Sequence, residues 1–219
     1  MPIDPLLHPT QSAITENLGP PHHKKSKPSS GWRSAISVVL IFIVAGLLAW
    51  FLTVFVFQQY QVDGMSMQPT LQNDNRLIVL KVARSWSRIT GHAYIPYRGD
   101  IVIFTENNLY NLNASGSNQL VKRVIGLPGD RVVVQNDNVT VYNKQHPKGF
   151  HPDATLPYGK VIGTTSGNID ITVPPDQIFV FGDNRSNSLD SRVFGAVPAK
   201  EIVGKLVLRI TPLDEIKKF

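Results

Sequence analysis

Hydrophobic residues follow two contrasting patterns along this 219-residue chain. Residues 34–57 form one block of 24 residues without a charged side chain. As a helix this block would be about 36 Å long, enough to cross a hydrocarbon core of about 30 Å. It is also longer than the apolar region of a cleaved secretory signal, which has about 7–15 residues. The pattern therefore predicts one transmembrane anchor at residues 34–57.

Beyond the block, apolar residues come in short runs rich in β-branched side chains and separated by Gly, Pro, Asn and Asp. No run keeps a 3.6-residue period, which predicts an antiparallel β domain over residues 58–219. The predicted strands are 77–80, 101–104, 120–125, 131–135, 139–142, 169–173, 178–181 and 202–210. A stretch rich in Pro and Gly predicts an inserted β and loop sub-domain over about residues 130–175. The predicted fold class is mainly β: an antiparallel-sheet core with this insertion, preceded by one transmembrane helix.

The residues before the block are polar and basic. Residues 1–30 contain six of the sixteen prolines and no aromatic residue, so we expect a disordered tail over residues 1–33. Four Lys or Arg residues lie between positions 24 and 33, whereas none lies between Phe57 and Arg76. The positive-inside rule then places the tail in the cytoplasm and residues 58–219 on the extracytoplasmic side of the cell membrane.

The composition excludes several classes of protein. The chain has no cysteine, which excludes disulfides, thiolate catalysis and Cys-based zinc sites. Its net charge of +6 comes from interspersed charges without a basic stripe, so nucleic acid is not an expected partner. No H-E-x-x-H sequence occurs, and we expect neither a metal nor another cofactor. We expect the anchor to lie in membrane lipid and the protein to be a monomer.

Ser66 lies shortly after the anchor, in the sequence DGMSMQPT at residues 63–70. Gly64 permits unusual backbone angles and Pro69 stiffens the turn. Two methionines flank Ser66, which is an apolar setting for a polar residue. Ser66 is therefore a candidate nucleophile, although a surface turn explains this segment alone at least as well.

Lys122 lies on a predicted strand and shares a face with Leu120 and Val124. Aliphatic surroundings disfavour the charged form of a lysine and lower its pKa. A fall of about 2–3 pH units from the ordinary value near 10.4 would make Lys122 a competent base. Arg123 has similar flanking residues but cannot deprotonate in practice. Lys122 is therefore the candidate general base.

A third segment, GDNRSNSLDSR at residues 182–192, carries many hydrogen-bonding side chains in succession. An Asx-rich surface turn accounts for only three or four of them. The rest indicate a polar network that positions other groups.

Four ordered motifs after an N-terminal anchor resemble those of the type I signal peptidase family, in its single-anchor bacterial form. They are residues 64–71, 98–104, 120–130 and 182–192. The resemblance covers about residues 34–210 and implies a Ser/Lys-dyad serine endopeptidase on a largely β fold. Its substrates would be translocated preproteins, from which it removes N-terminal signal peptides. Ser66 and Lys122 then match the catalytic nucleophile and base of the family.

The resemblance also implies supporting roles. Ser188 would hydrogen-bond and orient Lys122, Asp190 and Arg192 would form an ion pair, and Asp183 would hold the network together. Many members carry a serine where this chain has Gly64, and that serine hydroxyl helps to stabilise the oxyanion. Here the oxyanion would rest on the Ser66 backbone N–H together with water or another donor.

Two other interpretations use the same residues. A self-cleaving repressor-type peptidase has the same dyad, but it needs a DNA-binding motif where this chain has an anchor. A non-catalytic anchored β domain that binds extended peptides at a sheet edge would leave Lys122 charged and Ser66 dispensable.

Overall fold

The computed structural model describes residues 31–81, 87, 89–106, 119–155, 160–212 and 216–219. The predicted disordered tail, up to residue 30, lies outside the described residues. Two compact units make up the chain, one ending at Val44 and the other starting at Ala45.

An apolar helix opens the described chain. Helix α1 (Gly31–Phe51) continues into a π-helical turn at Leu52–Val56. It begins three residues before the predicted anchor, because residues 31–33 extend the first turn. Within the described residues, Ser34–Val56 is the helical stretch with the length and hydropathy needed to cross a membrane.

The residues after this helix form a mainly β structure, which confirms the predicted fold class. The strands are β1 (Phe57–Gln61), β2 (Arg76–Leu80), β3 (Ile101–Thr105), β4 (Gln119–Gly126), β5 (Arg131–Gln135), β6 (Asn138–Tyr142), β7 (Ile169–Thr172), β8 (Gln177–Phe181), β9 (Val197–Pro198), β10 (Ile202–Arg209) and β11 (Lys217–Lys218). Two one-turn helices are α2 (Pro152–Thr155) and α3 (Ser191–Phe194), and 3₁₀ turns cover Arg185–Asn187 and Ala199–Glu201.

The strands form two antiparallel sheets. The larger sheet has eight strands in the order β1-β2-β10-β3-β4-β8-β9, with β11 paired to β10. The smaller sheet has three strands in the order β6-β5-β7, and its residues lie between β4 and β8 in the chain. All eight predicted strands are present with their ends shifted by at most one residue.

The sequence pattern does not predict strand β1, and it places Phe57, the first residue of β1, in the anchor. Its sequence FQQYQ has no alternation of apolar and polar residues, so pattern alone gives no strand signal. Pairing with β2 in register from Phe57↔Leu80 to Gln61↔Arg76 imposes the extended backbone. The short strands β9 and β11 were missed for the same reason.

Strands β4 and β8 are paired neighbours and are largely buried. From Lys122 to Gly126 every residue of β4 is buried, and so are the last four residues of β8. A Cβ on Gly126 would lie 2.7 Å from a methyl group of Val132 and 3.0 Å from Phe179, so only glycine fits where the two sheets meet. The two charged side chains of this stretch, Lys122 and Arg123, are therefore removed from water, at 2% and 3% exposed.

Candidate active site

Ser66 lies in a turn (residues 63–71) that the protein core fixes at one end. Met67 is 1% exposed and packs in the same apolar cluster as Leu71. At the other end, the Gly64 N–H donates to Asn73 Oδ1 at 2.9 Å, with Gly64 at φ +104°. The Ser66 side chain is left half-buried, between a buried and an exposed methionine.

Lys122 of β4 reaches Ser66 across 56 positions of sequence. Its Nζ lies 2.7 Å from Ser66 Oγ, which is hydrogen-bond distance. The residue is 2% exposed, and within the described chain it belongs to no ion pair. The structure therefore brings together the two residues predicted as nucleophile and base.

Burial lowers the pKa of Lys122 from its ordinary 10.5 to about 8. Asp190 and Asp183 oppose this effect by stabilising the cation, while the positive charge of Arg192 adds to it. At pH 7 about one Lys122 in ten would then be neutral, against about one in 10³ for a lysine in water. A neutral amine beside a hydroxyl can accept its proton, which is what general-base catalysis requires.

Arg123, the next residue on β4, is also buried but has a carboxylate partner. Its guanidinium donates to both oxygens of Asp183, at 2.7 and 2.6 Å, and to the Gly99 carbonyl at 2.8 Å. Thr70 Oγ1 donates to the same carboxylate at 2.5 Å. Asp183 thus links β4 to the end of the Ser66 turn, which gives a structural form to its predicted role in the network.

The roles of Arg123 and Thr70 were not predicted. A buried arginine needs a carboxylate, so the apolar flanks of Arg123 were a signal that some Asp or Glu must pair with it. Sequence did not indicate which acid, because Asp183 is 60 positions away. Nothing in the sequence indicated a role for Thr70, apart from its position four residues after Ser66.

Asp190 and Arg192 form the expected ion pair. The Arg192 Nη2 to Asp190 Oδ2 distance is 2.8 Å, and Asp190 is fully buried. Asp190 also accepts the Gly182 N–H at 3.0 Å, so it holds the beginning of the 182–192 segment.

The hydrogen bond expected between Ser188 and Lys122 is not formed. Ser188 Oγ is buried and has no hydrogen-bond partner among the described residues. A Cβ on Gly182 would collide with the Ser188 side chain and approach the Ser66 carbonyl oxygen to 2.5 Å. Ser188 therefore packs beside Gly182, close to the backbone of the Ser66 turn.

Asn184 joins the 182–192 segment directly to the Ser66 turn. Its backbone N–H donates to the Ser66 carbonyl at 3.0 Å, and its side-chain amide donates to the Met65 carbonyl at 3.2 Å. In the described part of the chain, no group of three His, Asp or Glu side chains is arranged to hold a metal ion. The chemistry that this geometry supports is attack by an activated serine hydroxyl.

Comparison with known proteins relates the chain to one family. Residues 35–211 match the family described as signal peptidase, peptidase S26. The chain is 36% identical over 192 residues to signal peptidase I P of Bacillus subtilis subsp. natto, covering 85% of this chain and 91% of that protein. It is 38% identical over 173 residues to signal peptidase I of Bacillus caldolyticus, covering 75% and 85%. It is 33% identical over 207 residues to probable signal peptidase I-2 of Synechocystis sp., covering 93% and 85%.

Proposed function

The chain belongs to the signal peptidase family, peptidase S26, and we propose that it removes signal peptides with Ser66 as nucleophile and Lys122 as general base. The observation that carries this assignment is the 2.7 Å distance between Lys122 Nζ and Ser66 Oγ in a buried setting. Because burial lowers the pKa of Lys122 to about 8, a neutral amine is available near physiological pH.

The reaction follows from this pair. Lys122 takes the Ser66 proton as Oγ attacks the carbonyl carbon of the scissile peptide bond. The protonated amine then passes that proton to the leaving nitrogen as the C–N bond breaks, which leaves an acyl-enzyme. Water next loses a proton to Lys122 and attacks the ester, and the carboxyl terminus of the signal peptide leaves as Ser66 recovers its proton.

The developing oxyanion needs a hydrogen-bond donor. The Ser66 backbone N–H makes no hydrogen bond to another described residue, which supports its assignment as that donor. The Gly64 N–H is occupied by Asn73 Oδ1, so it is not available for this role. Since Gly64 has no hydroxyl, a second donor would have to be water or another group.

The orientation in the membrane follows from charge. Four Lys or Arg residues precede the apolar helix between positions 24 and 33, and none lies between Phe57 and Arg76. We therefore place the N-terminus in the cytoplasm and residues 58–219 on the extracytoplasmic side, where preproteins emerge. A substrate segment added as an extended strand directs alternate side chains into the enzyme. Residues one and three positions before the cut would then both point inward, and the resemblance to signal peptidases implies that both are small, as in Ala-x-Ala.

Cleavage of a preprotein by the detergent-solubilised full chain tests the proposal. Wild-type protein should release the mature product, whereas Ser66→Ala and Lys122→Ala should release none while keeping the wild-type circular dichroism spectrum. The non-catalytic alternative, an anchored domain that binds extended peptides, predicts that all three proteins bind the preprotein and none cleaves it. More than a few per cent of wild-type activity in either variant would disprove the dyad.

A further inference from the structure

Arg185 is a buried cation that the proposed chemistry does not use. It is 1% exposed and lies in the 182–192 segment. Its guanidinium forms a two-point ion pair with Asp153 of α2, in which the Nη2 to Oδ1 distance is 2.6 Å. It also donates to Thr165 Oγ1 at 3.0 Å and to the Gly182 carbonyl at 3.1 Å. Asp153 and Thr165 both lie within residues 130–175, hereafter the inserted segment.

Backbone contacts join the same two parts of the chain. The Ile162 N–H donates to the Asp183 carbonyl at 2.9 Å, and the Arg185 N–H donates to the Ile162 carbonyl at 2.8 Å. The Thr164 N–H donates to Ser186 Oγ at 3.1 Å. Any side chain at Gly163 would collide with Ser186, so the two segments are in close contact along their length.

The segment held in this way is in turn bonded to the Ser66 turn. Asn184, the residue before Arg185, donates to the carbonyl oxygens of Met65 and Ser66. Asp183, the residue before that, binds Arg123 and Thr70. A displacement of Arg185 by a fraction of an ångström would therefore reach Ser66 through one intervening residue, Asn184.

We propose that Asp153 is a positioning residue of the peptidase: through its ion pair with Arg185, the inserted segment holds residues 182–188 against the Ser66 turn. This inference rests on the proposed function of Ser66 and Lys122. Without Asp153, Arg185 would keep a buried charge that no other described carboxylate pairs with, and it would move toward water. The 182–188 loop would move with it.

The expected effect falls on kcat rather than on substrate binding, because the reacting groups lose alignment. Misplacement of about 1 Å can cost about 10²-fold in rate, so Asp153→Ala should lower kcat by about 10-fold to 100-fold. The KM should change little. Asp153→Glu keeps the carboxylate and should recover part of the loss.

The pH profile distinguishes this role from a merely structural one. The charged groups around Lys122 are Asp183, Asp190 and Arg192 of the 182–192 segment and Arg123 of its own strand. Burial is the main reason that its pKa is low, and a loosened 182–192 segment would admit water. The acidic limb of kcat/KM should therefore move to higher pH in Asp153→Ala. Loss of folded protein alone would lower the rate without moving this limb.

Asp170 provides a matched control. It forms a similar two-point ion pair with Arg131, also within the inserted segment, but both side chains are about half exposed, at 55% and 52%. The pair joins β5 to β7, and in the described chain neither side chain forms a hydrogen bond or ion pair with residues 182–192. Asp170→Ala should keep wild-type kcat, KM and pH profile.

The experiment compares wild type, Asp153→Ala, Asp153→Asn, Asp153→Glu and Asp170→Ala as full chains in detergent, with Ser66→Ala in parallel. If Asp153→Ala does not fold, Asp153→Asn removes the charge and keeps the shape of the side chain. Wild-type kcat and pH profile in a folded Asp153→Ala or Asp153→Asn would overturn the positioning role. An equal loss of kcat in Asp170→Ala would overturn it as well. Retained activity in Ser66→Ala would instead refute the proposed function itself.

Discussion

Lys122 and Arg123 are consecutive buried basic residues on β4, and they differ in their hydrogen-bond partners. Both residues are almost fully buried, at 2% and 3% exposed. Arg123 lies against the two oxygens of Asp183, whereas the hydrogen-bond partner of Lys122 is the hydroxyl of Ser66. Burial against a carboxylate favours a cation, and burial against a hydroxyl favours a neutral amine.

One strand can thus hold an ion-paired arginine beside the lysine that we propose as the general base. Asp183 and Asp190 both raise the pKa of Lys122, but each is also bound by an arginine. Of the two arginines, Arg192 lowers the pKa of Lys122, and Arg123 pairs with the Asp183 carboxylate. In the proposed mechanism, these ion pairs would help Lys122 to reach its neutral state.

The largest expected effect comes from replacing Lys122 with arginine, so that positions 122 and 123 carry the same side chain. Lys122→Arg places a permanent cation beside Ser66, and a guanidinium cannot accept the serine proton. We expect kcat/KM to fall about 10⁴-fold or more, as when a catalytic dyad or triad member is removed elsewhere. Preprotein cleavage measures this, and a folded Lys122→Arg protein with several per cent of wild-type activity would show that positive charge is sufficient.

Methionine substitutions should change stability in opposite directions at the two positions. Arg123→Met leaves Asp183 buried without its ion pair and should destabilise the protein by about 3–5 kcal/mol. Lys122→Met removes an amine whose protonation is disfavoured in the fold, and it should raise the thermal midpoint at pH 7. Because the folded pKa of about 8 lies below 10.5, this penalty is complete below pH 8 and disappears as the pH rises toward 10.5. Thermal unfolding of both variants in the same detergent measures these effects. Equal destabilisation by Lys122→Met and Arg123→Met would contradict the predicted difference.

Ser188 tests whether Lys122 needs an orienting hydroxyl. In the structure its Oγ is buried without a hydrogen bond among the described residues, beside Gly182. We expect Ser188→Ala to lower kcat/KM by about 10-fold or more if this hydroxyl, unbonded in the free protein, bonds and orients Lys122 once substrate is bound. Steady-state kinetics decides, and an unchanged rate would show that the Ser188 hydroxyl does not orient Lys122.

The smallest effect concerns Gly64. A Cβ there would meet no atom within 4 Å, but the φ of +104° is one that side chains rarely adopt. Gly64→Ala and Gly64→Ser should therefore be destabilised equally, by about 1–3 kcal/mol. The serine variant alone adds a hydroxyl near the oxyanion, and it should be the more active of the two. Equal kcat values would mean that this hydroxyl does not reach the oxyanion.

The parts that sequence predicted are those with local signals. The eight strands were visible from their β-branched runs and intervening turns, and Lys122 from its aliphatic neighbours. Strand β1 could not be predicted because FQQYQ becomes extended only by pairing with β2. The Arg123–Asp183 and Arg185–Asp153 pairs join positions 60 and 32 residues apart. The fold determines which residues pair, and no local sequence pattern indicates the partner.

The most direct test of the account is the pKa of Lys122 itself. With carbon-13 at the lysine Cε, the full chain in detergent gives a titration curve for each lysine, and Lys122→Arg identifies the signal. We predict a midpoint near pH 8, matched by the acidic limb of kcat/KM, because the neutral amine is the active form. A midpoint near the ordinary 10.5 in an active protein would contradict the account, because Lys122 would then be a second structural cation like Arg123.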